Sequence, residues 1–70
     1  MDRKNIESSM IRSIGYDAST SVLEIEFNSG PVWQYYDVPE AFWYEFEGTD
    51  SHGKFFHREI KGHFSETQVG

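Results

Sequence analysis

The sequence predicts an α+β domain: a three-stranded antiparallel β-meander followed by two short α-helices packed on one face. Three observations predict it. Apolar residues alternate with period two through the first half of the chain, turn-forming clusters separate the alternating runs, and the second half carries apolar residues four apart between proline and glycine boundaries. Seventy residues make one domain, near the lower limit at which a chain can fold alone. There is no cysteine, so disulfides and thiolate zinc sites are excluded. Two Trp, four Tyr and six Phe supply the burial instead.

The first strand is expected over Met10–Tyr16, with Met10, Ile14 and Tyr16 on one face and Arg12 interrupting the pattern. The second, Val22–Phe27, alternates cleanly: Leu23, Ile25 and Phe27 point one way, Val22, Glu24 and Glu26 the other. The third, Val32–Tyr36, sets Trp33 and Tyr35 against Val32, Gln34 and Tyr36. Asp17–Ser21 and Asn28–Pro31 have the composition of hairpin connections.

Pro39 suits the first position of a helix, Glu40 its positive end and Gly48 its stop. Phe42 and Phe46 lie four apart and share a face. The second helix is expected to begin at Asp50 or Ser51 as its cap and to end at Gly62. Neither helix is long enough to stand alone in water, so both must pack on the sheet. The expected core is Leu23, Ile25, Phe27, Trp33, Tyr35, Phe42, Phe46, Phe56 and Ile60. Residues 8–64 form the domain, and the polar ends, 1–7 and 65–70, are expected to fray.

The net charge of −6 is unevenly placed. Tyr16–Asp50 carries eight acids and no lysine or arginine, whereas Ser51–Phe64 carries Lys54, Arg58 and Lys61 against Glu59 alone. At about 100° per residue, Lys54, Arg58 and Lys61 fall on one side of the second helix and Phe56 and Ile60 on the other. His57 borders the basic stripe and adds charge at mildly acid pH. These four residues are the candidate anion- or RNA-binding set; a solvated helix face is the plainer account of them. Glu24 and Glu26 are expected on a solvated sheet face that repels phosphate, which argues against RNA reading on the sheet. Trp43, Tyr44 and Tyr36 exceed what a core this small needs and offer a protein-binding patch.

Enzyme chemistry is not expected. His52, His57 and His63 stand five and six residues apart, which misses the helical spacing of metal ligands. No serine sits in a nucleophile elbow and the glycines are too scattered for a phosphate loop. No cofactor and no small-molecule substrate are expected. Met1–Met10 has no apolar secretory core and no apolar run is long enough to span a membrane, which fits a cytoplasmic protein.

Taken in order, Ser8-Ser9, Ile14-Gly15-Tyr16-Asp17, Leu23-x-Ile25-x-Phe27-x-x-Gly30, Trp33-x-Tyr35, Val38-Pro39 and Ser51-x-Gly53-Lys54-Phe55-Phe56-x-x-x-Ile60-x-Gly62-x-Phe64 resemble the KTSC domain. That family takes its name from the C-terminus of some lysyl-tRNA synthetases. The resemblance implies a non-catalytic interaction module with RNA, structured or tRNA-like, as its ligand and no catalytic residues to carry over. A protein-binding adaptor is the alternative. Lys54 and the Ser8-Ser9 pair are the polar matches that merit a functional test.

Overall fold

The computed structural model describes residues 1–70. Its sheet has five strands in sequence order, every neighbouring pair antiparallel: β1 (Lys4–Asn5), β2 (Ile11–Asp17), β3 (Val22–Phe27), β4 (Val32–Tyr35) and β5 (Glu66–Gln68). Between β4 and β5 the chain forms α1 (Glu40–Gly48) and α2 (His52–Phe55), and α2 continues into a π-helical turn (Phe56–Ile60). The expected three-stranded meander is therefore the centre of a larger sheet. The ends expected to fray each contribute an edge strand instead. Both strands are too short and polar to show a period, and they are ordered by pairing with a neighbour that already exists.

Arg12 interrupts the alternation of β2 because it is a β-bulge. Register jumps from Ile11 opposite Phe27 to Ser13 opposite Glu26, so Arg12 and Ser13 together face one partner residue. The extra residue brings Ile11 and Ile14, three apart, onto the same face, and both are fully buried. Leu23, Ile25 and Tyr35 complete the sheet side of the core, and Val38 and Phe46 close it. Phe27, Trp33 and Phe42, expected inside, are half-buried at its rim. Burial pushes the Tyr35 phenol well above its ordinary value of 10.0, with the Glu66 charge adding to the shift.

The π-turn changes which residues α2 buries. An i→i−5 bond from the Lys61 amide to the Phe56 carbonyl (2.9 Å) widens the turn. Phe55, Phe56 and Ile60 are then all buried, where a regular helix was expected to bury Phe56 and Ile60. Phe56 meets Phe27 and Tyr35 edge-on at 5.2 and 5.9 Å, which docks α2 on the sheet. Phe55 meets Phe42 and Phe46 at 5.3 Å, which ties α2 to α1. Gly62 ends the segment with φ +81°, the left-handed conformation favoured after a helix.

The face of the sheet opposite the helices is held by the N-terminal segment. Gly15 lies there opposite Glu24, and Asp2–Arg3 runs directly over it. A Cβ at Gly15 would sit 2.5 Å from the Asp2 carbonyl oxygen and 3.0 Å from Arg3 Cγ. Arg3 Nη1 donates to Glu24 Oε2 at 2.6 Å, and Gln34 Nε2 donates to Glu24 Oε1 at 2.9 Å. Ser13 Oγ donates to Glu26 Oε1 at 2.8 Å. Glu24 is only 8 % exposed. The expected solvated acidic face is thus a paired polar network, because the N-terminal segment covers it.

Candidate functional site

The chain has one recess, of about 760 Å³. Three stretches of sequence build it: Glu7–Met10 ahead of β2, Asp50–Lys54 from the α1–α2 connection into α2, and His57–Arg58 on the π-turn. The first two meet at Gly53. Its missing side chain would meet Met10 Cε at 3.7 Å and Ser8 Oγ at 3.9 Å, ordinary contact distances.

Each wall residue has its place for a local reason. Ser8 Oγ accepts from the amides of Met10 and Ile11, both at 3.2 Å, and so turns the chain into β2. Ser51 is the N-cap residue of α2 yet its hydroxyl makes no capping bond; the Phe55 amide instead bonds the Ser51 carbonyl at 3.0 Å. Lys54 and Arg58 are four apart across the entry to the π-turn. Arg58 lays its guanidinium over the Phe55 ring at 5.7 Å and donates from Nε to Glu59 at 2.9 Å. His57 is exposed, with its ring edge-on to Phe56 at 5.5 Å. His52 packs edge-on against Phe46 at 5.4 Å, and its Nε2 is the one buried side-chain polar atom in the chain without a hydrogen-bond partner.

Of the four candidate residues, Lys54, His57 and Arg58 share the recess. Lys61 lies beyond it, because the π-turn alters the helical projection and Lys61 already has extended backbone (φ −62°, ψ 120°). Ser51, His52, Glu7 and Asp50 join the site without having been singled out for it. Nothing local marks them, since the recess exists only where two distant stretches meet. The Ser8-Ser9 pair and Lys54, distant in sequence, do come together.

The recess is mixed in charge. Lys54 and Arg58 are balanced by Glu7 and Asp50. Neither Lys54 nor His57 makes a hydrogen bond or ion pair, and neither Glu7 nor Asp50 quenches them. By contrast, Lys4 is paired with Glu47 at 3.0 Å. Elsewhere, no group of three or more His, Asp or Glu side chains converges as metal ligands, and no helix is long and apolar enough to cross a membrane. The aromatic patch is smaller than expected: Trp43 stacks on Tyr16 at 5.6 Å and Tyr36 donates to Gln34, leaving Tyr44, 59 % exposed and donating to Glu40 at 3.5 Å, as its most exposed member.

A five-stranded antiparallel sheet carrying two helices on one face, with a polar recess at the foot of the second, defines a small α+β domain. The chain belongs to the KTSC domain family, whose model matches residues 7–64. A KTSC domain protein from Yersinia pestis, known from its crystal structure, superposes with a TM-score of 0.93 at 41% identity, covering 99% of this chain and 97% of that one. A protein of Stutzerimonas stutzeri is 38% identical over 61 residues, 87% of this chain and 86% of its own length. A lysine–tRNA ligase of Trichormus variabilis is 38% identical over 63 residues. That match takes in 90% of this chain but only 11% of the ligase.

Proposed function

We infer that the domain is a non-catalytic module that binds RNA through the basic side of α2, with Lys54, His57 and Arg58 at the centre and Lys61 at the margin. The observation that carries this is the idle state of Lys54 and His57. In a chain with twelve acids and six Lys and Arg, the fold leaves these two groups unpaired beside carboxylates that do not engage them. The lysine–tRNA ligases that contain a related segment lend support, since tRNA is in the name of their activity. The acidic sheet face offers less opposition than its composition suggests, because Arg3 covers Glu24. A protein adaptor built on exposed aromatics has mainly Tyr44 to work with.

Fluorescence anisotropy with a tRNA and a duplex RNA at two salt concentrations tests the assignment. Binding should weaken with salt at a log–log slope of roughly −2 to −3, as about three phosphate contacts release counterions. Reversing Lys54, Arg58 and Lys61 to glutamate should abolish it, while Glu40→Gln with Glu45→Gln on exposed turns of α1 should leave it unchanged or slightly stronger. No binding at low salt, or equal binding by the triple variant, overturns RNA as the ligand.

A further inference from the structure

We propose that the recess between the Ser8-Ser9 turn and α2 is a site for a nucleoside 5′-monophosphate, either free or as the phosphorylated end of an RNA strand. The proposal builds on the RNA assignment by naming the part of the ligand that this surface holds.

The unused hydrogen-bonding capacity of the walls points to the ligand. Ser8 Oγ already accepts from two amides, so what it has left to offer is its O–H, a donor. The Ser51 hydroxyl is free because it does not cap its helix. Lys54 has three N–H groups and no partner, and Arg58 uses only Nε within the protein, leaving both Nη groups. Donors therefore approach one space from the N-terminal turn, the start of α2 and the π-turn. An internal phosphodiester has two non-bridging oxygens and tracks across a surface. A phosphomonoester has three terminal oxygens and a second charge, and can engage donors from several directions.

The acids argue for a nucleotide rather than for phosphate alone. Glu7 and Asp50 line the same recess, and carboxylates accept from sugar hydroxyls and base amino groups while repelling a bare anion. The space, about 760 Å³, is in the range of sites that hold a ligand of nucleotide size. Lys54 and Arg58 are offset by Glu7 and Asp50, with Glu59 held on Arg58, so positive charge alone does not define the recess.

The test uses the full chain and two ligand series. Amide chemical shifts are followed on titration with adenosine 5′-monophosphate, adenosine and inorganic phosphate under one buffer condition. The monophosphate should move the amides of Ser8, Ser9 and His52–Arg58, and adenosine should not. Lys54→Gln and Ser51→Ala, which remove no internal hydrogen bond, should each weaken it by about fivefold to tenfold while the remaining spectrum is retained. In parallel, one oligoribonucleotide with a 5′-phosphate or a 5′-hydroxyl is compared by anisotropy. Preference for the phosphorylated end assigns the site to RNA termini. Monophosphate binding with no RNA binding keeps the site for free nucleotides and overturns the RNA function. RNA binding that ignores the end, with no monophosphate shifts at the recess, overturns this proposal and leaves the RNA function standing. Equal shifts by inorganic phosphate and the monophosphate also overturn it, since the acids would then contribute no recognition.

Discussion

Arg3 and Lys54 are both basic side chains in an acidic chain, and the fold uses them in opposite ways. Arg3 lies across Gly15 and neutralises Glu24, a carboxylate that burial would otherwise leave destabilised. The neighbouring Lys4 is paired with Glu47. On the covered face Glu24 and Glu26 are bonded by Arg3, Ser13 and Gln34, and the N-terminal segment closes over the result. Lys54 stands at the opposite extreme, beside idle hydroxyls, an unpaired histidine and two carboxylates that leave it alone. The difference separates charges that complete the fold from charges that the fold leaves over. Only the second kind is available to a ligand.

The largest expected effect is at Phe56, because it joins the two regions. Phe56→Ala removes the ring that contacts Phe27 and Tyr35 and holds the π-turn on the sheet. It should cost about 2–5 kcal/mol, a large share of what a domain of this size has. Urea titration should show the loss, and the recess should disperse with the fold. A variant melting within a degree or two of the parent would mean that α2 is anchored elsewhere. Gly15→Ala should be smaller and confined to one side. The added methyl collides with the Asp2 backbone, so β1 must lift, at about 1–3 kcal/mol. Hydrogen exchange should quicken at the amides of Arg3–Ile6 and stay slow in Leu23–Ile25. If amide shifts at Ser51–Arg58 moved as much as those at Arg3–Ile6, the two regions would be coupled and the comparison would fail.

The residues that could be read from sequence are those whose environment is set by near neighbours. Leu23, Ile25 and Tyr35 announce a buried strand face through simple alternation, and Phe46 and Ile60 announce buried helix faces. Arg12 carried a signal of another kind: a charged residue breaking the alternation marked a bulge, and only strand register shows that Ile11 and Ile14 are both inside. Phe55 is hidden for another reason: it turns toward α1 and is covered by Phe42 and Phe46, a contact between helices that the helical period alone does not place. β1 and β5 have too few residues to express a period. Lys54, His57 and Arg58 were legible as a basic group, but the recess was not. It depends on α2 meeting the Ser8–Met10 turn at Gly53, a contact between distant stretches that no local pattern encodes.

The smallest expected effect is the most discriminating. A serine that caps a helix normally contributes about 0.5–2 kcal/mol, lost when it becomes alanine. Ser51 occupies the capping position of α2 and makes no capping bond; its amide, rather than its hydroxyl, is engaged, with Thr49 Oγ1 at 3.4 Å. Ser51→Ala should therefore change stability by less than about 0.5 kcal/mol, the range of a surface substitution away from structural features. For a domain of this length that is a shift in melting temperature of no more than about 2–4 °C. Lys54→Gln should behave the same way, since no internal partner is lost. Thermal melts of the two variants beside Gly15→Ala measure the contrast directly. If Ser51→Ala or Lys54→Gln proved as costly as Gly15→Ala, the hydroxyl and the ammonium would be structural groups after all. The recess would then hold no surplus of donors, and the division between charges spent on folding and charges left for a ligand would disappear.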